Sequence, residues 1–357
     1  MNARERLAAI GRGERVDRVP FMPTLLEHTA RGIGRTPSEC AKDGGLLAAA
    51  HLDAYRRYAH DLVTVGIDIY NIEAEALGCT VRFQEDRSIP GIVSHPLRVG
   101  GPLGDLAFSL SRGRTGLVVD AAAEVLDRVG RVVPVSVAMC GPFSVAVELC
   151  GYDAWIGACL DEPDWAHSLL DALLGHQCDY SDAILSRGLG ITLFESWATP
   201  PLLSPHLYAA FAAPWETGLI RHIRGGGAAS APLVIGGDTT EILDAMLATG
   251  TTLLVADYPV DAAFFKDKAV THDVGLRGNL DPRLLESGPI ERVLERVDAL
   301  LDVAGNYPRF ILGTGVVSFD TPEVNLLAVR RHLESVGDPA VGHRKNKGNA
   351  RSVNWND

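Results

Sequence analysis

Basic residues are scarce in this sequence relative to acidic ones. Among 357 residues, 33 Lys and Arg stand against 45 Asp and Glu, which gives a formal net charge of -12 at pH 7. Binding of nucleic acid needs a basic surface that neutralises the phosphates. We therefore expect no nucleic-acid partner.

Paired cysteines are also absent. No two of the six cysteines form a Cys-x-x-Cys pair, and none shares with a histidine the spacing of a zinc knuckle. This pattern is typical of buried free thiols in a reducing compartment. It predicts a cytoplasmic protein.

Long apolar runs are missing as well. No stretch is long enough to span a bilayer, and residues 1–18 lack the apolar core of a secretory signal. We therefore expect no membrane partner. Hydrophobic residues make up 46% and charged residues 22%, as in an ordinary globular protein. The length fits two average domains or one α/β barrel with insertions.

Short apolar runs are present, and they alternate with helical patterns. Eight of them predict strands, at residues 19–23, 68–72, 132–139, 191–195, 232–236, 253–257, 274–277 and 310–313. Several are nearly continuous Val, Ile and Leu, as expected for strands buried on both faces of a parallel sheet. Residues 164–186, 239–249, 289–304 and 321–336 carry helix spacing or capping residues. Eight strands, each followed by helix, predict an α/β protein with a (β/α)8 TIM barrel.

Three segments extend this pattern. The charged start predicts an N-terminal helical extension, and residues 79–96 alternate loosely around Pro90-Gly91, which predicts a hairpin inserted after strand two. Residues 337–357 have few apolar side chains and predict a disordered tail. No linker interrupts residues 1–336, so they are expected to form a single domain.

Polar residues at the carboxyl ends of the predicted strands are the candidates for function, because the active site of such a barrel lies there. Glu195 is the first candidate, since a carboxylate directly after an apolar strand is costly unless it is used or paired. Its side chain is expected to face the cavity as an acid or base, and a structural ion pair is the alternative. His28 suits a general acid near neutral pH, or it is a solvated loop histidine.

The remaining candidates are predicted to bind substrate. Trp197 either stacks against the substrate as a wall of the site or packs in the core. Glu148 is either a site residue or a glutamate on the surface of a helix. Asp257 and Asn279 are expected to hold loop amides and shape the mouth. The predicted substrate-binding set is Trp197, Ser196, Asn71, Glu75, Glu148, Asp257 and Asn279.

Five short motifs, in this order, resemble one protein family. They are RVP at residues 18–20, AEALGC at 74–79, GPFS at 141–144, LFESWA at 193–198 and GNLDP at 278–282. Together with TPEVN at 321–325 they are similar to uroporphyrinogen decarboxylase and its relatives, the zinc-dependent methylcobamide:coenzyme M methyltransferases. The resemblance spans nearly the whole chain and implies a (β/α)8 barrel.

The resemblance also shows which family residues are missing. Methyltransferases of this family carry His-x-Cys after strand five and a Cys after strand eight. Val234, Gly236 and Val316 occupy those positions here. Valine and glycine cannot ligate zinc or activate a thiol, so we predict no metal. The alternative is a rearranged site, for instance His28 with Glu73 or Glu195, which nothing in the spacing selects. Pro23 and Glu27 stand where the decarboxylase has arginines for its substrate's carboxylates, so uroporphyrinogen is not the expected substrate.

Three hypotheses about function remain open. The first is a metal-free lyase, a decarboxylase of a small polar substrate, which needs no cofactor. The second is a corrinoid-dependent methyltransferase with a separate corrinoid protein as partner, favoured by AEALGC at residues 74–79. The third is a non-catalytic binding or dimerisation module. A homodimer is left open in each case.

Overall fold

Eight parallel strands form two four-stranded arcs. The computed structural model describes residues 1–338. The strands are β1 Phe21–Thr24, β2 Val63–Val65, β5 Val135–Cys140, β6 Gly190–Phe194, β7 Leu233–Val234, β8 Leu253–Ala256, β9 Gly275–Leu280 and β10 Phe310–Val316. One arc has the order β1-β10-β9-β8 and the other β2-β5-β6-β7.

The two arcs meet at both of their edges. Beside β1 and β2, the Asp61 N–H donates to the Phe21 carbonyl at 2.8 Å. Beside β7 and β8, the Leu233 N–H donates to Thr251 Oγ1 at 3.0 Å. Going round from arc to arc, the strands follow one another in chain order, as in an eight-stranded parallel barrel.

Helices follow the strands and enclose them. The helices are α1 Ala3–Gly11, α2 His28–Gly32, α3 Pro37–Lys42, α4 Gly44–Tyr58, α5 Ile69–Ala76, α6 Thr115–Val129, α7 Pro142–Cys150, α8 Tyr152–Asp161, α9 Pro163–Leu185, α10 Pro205–Phe211, α11 Ala213–Gly225, α12 Leu243–Ala248, α13 Ala262–His272, α14 Pro282–Ser287, α15 Ile290–Ala304 and α16 Glu323–Val336. Short 3-10 turns lie at Ser196–Ala198 and Thr240–Ile242. The four helices predicted from spacing and caps correspond to α9, α12, α15 and α16.

The predicted second strand is wrong. Residues 69–72 begin helix α5, Asp68 precedes them as its N-cap, and β2 lies earlier, at Val63–Val65. The β-branched and aromatic residues Ile69, Tyr70 and Ile72 are typical of strands. Their burial instead follows helical spacing, since Ile69, Ile72 and Ala76 are all buried.

The inserted hairpin and the N-terminal helix are both present. Strands β3 Thr80–Arg82 and β4 Gly91–Ser94 pair antiparallel. The hairpin reaches across to the β10–α16 connection, where Arg87 forms an ion pair with Asp320 at 2.6 Å. Residues 339–357, most of the predicted tail, lie outside the described residues.

The interior of the barrel is layered. An upper apolar ring, near the carboxyl ends of the strands, consists of Leu26, Ile69, Ala138, Phe194, Val234 and Val255. A lower apolar layer consists of Ile10 from α1 with Met22, Leu253 and Ile311. Three hydroxyl groups join the strands between these layers, because Ser136 Oγ lies 3.0 Å from both Thr64 Oγ1 and Thr192 Oγ1.

Within residues 1–338, no single helix is long and apolar enough to cross a membrane. The pair α7 and α8 reaches the required length and composition only together, and a bend of 110° separates the two helices.

Candidate active site

Glu195 lies outside the barrel interior. Phe194 belongs to the upper apolar ring, so the next side chain points to the opposite face of the strand. Glu195 is fully buried there, and its Oε1 accepts from the Ser144 N–H of α7 at 2.5 Å. The expectation that it faces the cavity is therefore wrong, and its catalytic role stays a prediction.

Two further buried glutamates lie near Glu195. Glu73 Oε1 accepts from the Cys140 N–H at 2.7 Å, and Glu216 Oε2 accepts from the Tyr208 hydroxyl at 2.5 Å. Each of the three carboxyl groups keeps one oxygen without a hydrogen-bond partner among the described residues. We call Glu73, Glu195 and Glu216 the buried carboxyl cluster.

Burial governs the ionisation of this cluster. It raises the pKa of Glu195 to about 8, and the nearby Glu73 adds to the effect. It raises the pKa of Glu73 to about 7 and that of Glu216 well above its ordinary value. Near neutral pH the cluster holds protons, because no Lys, Arg or His of the described chain pairs with these carboxyl groups to balance several buried negative charges. The structural ion pair, which was the alternative to a catalytic role for Glu195, is not observed within residues 1–338.

His28 is buried behind the barrel wall. Its Nδ1 lies 2.9 Å from the Ser318 carbonyl and its Nε2 lies 2.9 Å from the Tyr58 hydroxyl. The carbonyl can only accept, so Nδ1 carries the proton and Nε2 accepts from Tyr58. Burial also lowers the pKa of His28. Because His28 is buried and both ring nitrogens are hydrogen-bonded, it is not a solvated loop histidine. Neither of its two hydrogen-bond partners is Glu195.

Trp197 and Ser196 lie at the mouth, half-buried. The Trp197 indole N–H donates to Glu148 Oε1 at 2.8 Å, and the ring stacks on Tyr152 with centroids 5.7 Å apart. The Ser196 N–H donates to the Tyr70 hydroxyl at 3.3 Å. Burial raises the pKa of Glu148. Three of the predicted substrate-binding residues are thus together on one side of the mouth.

Asn71 and Glu75 belong to a separate network. Asn71 Nδ2 donates to Asp68 Oδ2 at 3.0 Å and to the Pro90 carbonyl of the hairpin at 2.7 Å. Arg114 pairs with Asp68 at 2.7 Å and with Glu75 at 2.5 Å. These residues fasten the hairpin and the start of α6 to α5. Arg114 was not predicted, because nothing in the sequence signals its partners.

Asp257 and Asn279 meet at the ends of β8 and β9. Asn279 Nδ2 donates to Asp257 Oδ1 at 3.0 Å, and the Gly237 N–H donates to Asp257 Oδ2 at 2.8 Å. This agrees with the expected holding of loop amides. Asn279 Oδ1 is buried and has no hydrogen-bond partner among residues 1–338.

Glu27 is a mouth residue that the predicted set omits. It directly follows Leu26 of the upper apolar ring, in the connection from β1 to α2. It is half-buried, and no other residue of the described chain donates a hydrogen bond to its carboxyl group. Burial raises the pKa of Glu27 to about 7. Glu27 stands where the family's decarboxylases have an arginine. In the sequence this difference indicated only that uroporphyrinogen is not the substrate.

Comparison with known proteins places the whole chain in one family. The sequence model described as uroporphyrinogen decarboxylase (URO-D) matches residues 2–335. The chain belongs to the uroporphyrinogen decarboxylase family. The expectation of this superfamily is therefore confirmed.

Family relatives include enzymes of two kinds. The methylcobamide:CoM methyltransferase MtbA of Methanosarcina acetivorans is 28% identical over 329 residues, which cover 90% of this chain and 95% of the relative. The uroporphyrinogen decarboxylase of Aromatoleum aromaticum is 27% identical over 330 residues, with 88% and 89% covered. The expectation of an enzyme, either lyase or methyltransferase, is thereby confirmed.

A solved structure supports the fold class. A methyltransferase from Methanosarcina mazei superposes with a TM-score of 0.84 and 22% identity, covering 94% of this chain and 99% of that one. At this identity the likeness shows the fold alone. The predicted (β/α)8 TIM barrel is confirmed.

The zinc site of the family's methyltransferases does not fit the residues present. Val234 lies in the upper apolar ring, Gly236 has no side chain, and Val316 is 44% exposed. No group of three or more His, Cys, Asp or Glu within residues 1–338 is arranged to hold a metal ion. No step below is therefore derived through zinc.

Proposed function

We propose that this family member is a metal-free carbon–carbon lyase that decarboxylates a small polar substrate, with Glu27 as the proton donor. The observation that carries the proposal is the half-buried Glu27 carboxyl group at the mouth, whose pKa is raised to about 7. Such a group is protonated in a large fraction of molecules near neutral pH and can still reach a ligand. Glu195 and His28 lack that access, since both are at most 2% exposed.

The reaction breaks the bond between a carboxylate and its neighbouring carbon. Carbon dioxide leaves, and the electron pair stays on that carbon, which then takes the proton of Glu27. Solvent returns a proton to the resulting carboxylate. Since no cofactor is invoked, the substrate itself must carry an electron-accepting group, such as a carbonyl or a protonated heterocycle, next to the carbanion.

Trp197, Ser196, Asp257 and Asn279 are proposed to position the substrate. They lie at or just after the ends of β6, β8 and β9. The Trp197 ring offers a flat apolar face, which its bond to Glu148 holds in place. Asn71 and Glu75 support this arrangement indirectly through the hairpin.

The test is carbon dioxide release from a panel of small carboxylic acids that carry such electron-accepting groups. Wild-type enzyme treated with EDTA should release it, and the rate should fall as the pH rises above about 7, because Glu27 must be protonated. In Glu27→Gln the rate should fall roughly a hundredfold or more. The exposed Glu286→Gln serves as the control and should be unchanged.

Two results would contradict the proposal. One is no release from any acid of the panel, and the other is a Glu27→Gln rate equal to wild type. Uroporphyrinogen belongs in the panel as well, because Pro23 and Glu27 stand in place of its arginines and no turnover is expected.

A second candidate function is corrinoid-dependent methyl transfer with a separate corrinoid protein. The relatives named methylcobamide:CoM methyltransferase favour it, since they cover 90% of this chain. It requires a way of activating the acceptor that does not use the family's zinc ligands. Spectral change of methylcobalamin on addition of the protein and a thiol would support this function, and an unchanged spectrum would argue against it.

A further inference from the structure

The guanidinium group of Arg277 lies inside the barrel. Arg277 of β9 is 5% exposed. Its Nη2 donates to the Thr24 hydroxyl and to the Thr314 carbonyl, the latter at 2.8 Å. Its Nε has no hydrogen-bond partner among the described residues. Every acceptor that Arg277 contacts through a hydrogen bond within residues 1–338 is a neutral oxygen.

The charge of Arg277 is incompletely balanced. Arginine stays protonated in proteins, and a buried charge is costly unless it is paired. Burial lowers the pKa of Arg277 to about 10, and attraction to Asp257 opposes this. Both oxygens of Asp257, however, accept hydrogen bonds from Gly237 and Asn279 instead.

A small cavity adjoins the guanidinium group. It has a volume of about 30 Å³ and is lined by Arg277 with Thr24, Thr64 and Thr192. Apolar residues of the upper ring and of the lower layer bound it above and below. This space holds only one or two atoms the size of a water molecule.

One hydroxyl donor, that of Thr64, lines the same space. The Ser136 hydroxyl donates to Thr64 Oγ1 at 3.0 Å, so the hydrogen of Thr64 is free for another acceptor. The cavity therefore combines a cation with a free O–H donor. This is the donor set that an anion needs.

Gly313 of β10 makes room for the arginine. A Cβ at this position would overlap both Arg277 Nε and Asn279 Oδ1. The neighbouring strand thus lacks a side chain at the point where Arg277 crosses it.

We propose that the cavity between Arg277 and the Thr64 hydroxyl binds a small monovalent anion, the size of a halide or of one carboxylate group. The anion supplies the missing countercharge within the barrel. Larger oxyanions such as sulfate exceed the space. This site is independent of the reaction proposed at the mouth.

Anion-dependent thermal stability tests the site. Sodium chloride, bromide and formate are titrated separately, with sodium sulfate at equal ionic strength as the reference. Relative to sulfate, the wild-type Tm should rise with the logarithm of anion concentration, by roughly 2–4 °C at 0.2 M. Arg277→Met should lose this dependence, and the exposed Arg221→Met should keep it.

The salts also distinguish the source of the anion. A response to halides indicates a free inorganic ion, whereas a response to formate alone indicates a carboxylate group. An equal response in Arg277→Met and wild type would overturn the proposal. If Arg277→Met does not fold, a crystal structure of the wild-type protein grown in bromide tests the site instead. Formate replaces bromide if only formate stabilises the protein. Ion density beside Arg277 supports the site, and its absence there overturns it.

Discussion

Replacing Glu195 with glutamine separates a structural role from a catalytic one. Glutamine keeps the size of the side chain and an oxygen that can accept the Ser144 N–H, but it cannot ionise. The position is fully buried between the α7 N-terminus and the rest of the buried carboxyl cluster. The substitution therefore imitates the protonated form of the glutamate.

The expected effect depends on pH. Burial raises the pKa of Glu195 from an ordinary value of 4.5 to about 8. Between these values the folded protein holds a proton that the unfolded chain has released. The stability linked to this proton is fully present below pH 4.5 and is lost as the pH rises through 8. At about 1.4 kcal/mol per pH unit, the loss amounts to roughly 4–5 kcal/mol at most.

Glu195→Gln removes this loss. At pH 5 the free energies of unfolding of variant and wild type should agree within about 1 kcal/mol. At pH 8 the variant should be more stable by on the order of 2–4 kcal/mol. Urea unfolding followed by both fluorescence and circular dichroism at pH 5, 6.5 and 8 measures this, with Glu286→Gln as the exposed control.

Two results would refute this reasoning. A variant that is less stable than wild type at pH 8 but not at pH 5 would mean that Glu195 is ionised and paired in the folded protein. A hundredfold loss of activity at unchanged stability would restore Glu195 as the catalytic acid or base. Glu27 would then have to be reconsidered.

Two further predictions follow from the same geometry. Gly141→Ala should lower the free energy of unfolding by roughly 1–3 kcal/mol in a urea titration, because the added Cβ overlaps Glu195 Oε2. The control is Gly157→Ala in α8, which should be neutral or slightly stabilising because no atom lies within 4 Å of the added Cβ. Elemental analysis of purified protein should find zinc far below one ion per chain, since Val234, Gly236 and Val316 occupy the family's ligand positions, and about one tightly held zinc per chain would contradict this.

The barrel could be predicted from the sequence because seven of its eight strands are apolar runs bounded by turns. The second strand shows the limit of this approach. Val63–Val65 is too short to stand out, and the neighbouring Ile69-Tyr70-Asn71-Ile72 has the composition of a strand although it folds as helix. A shift of a few residues then displaced the predicted strand end on which Asn71 and Glu75 were placed.

Side-chain direction was harder to predict than position in the chain. The end of β6 was located to within one residue, yet Phe194 faces the interior and Glu195 the helices. A one-residue difference at a strand end moves a side chain from one face to the other, and the sequence alone does not fix it. His28 shows the same problem, because its partners Tyr58 and Ser318 are distant in the chain.

The position of Arg277 in the sequence already indicates that it is unusual. Arg277 ends a predicted apolar strand and is followed by glycine, and a charged residue inside a buried parallel strand is rare unless it has a function or a partner. The absence of a carboxylate partner, however, depends on which strands meet across the barrel. That information comes only from the folded chain.

Glu195 and Glu27 both have a raised pKa, but the shifts have different consequences. Glu195 shares its burial with Glu73 and Glu216, and its free oxygen is sealed against Gly141. Its raised pKa is therefore expressed as stability, which falls with rising pH. Glu27 remains partly exposed at the mouth, so its proton can reach a bound substrate. Both shifts make stability fall with rising pH, so activity is what separates the two residues. Activity that responds to Glu27→Gln and not to Glu195→Gln would establish this division between an outer structural layer and a reactive mouth.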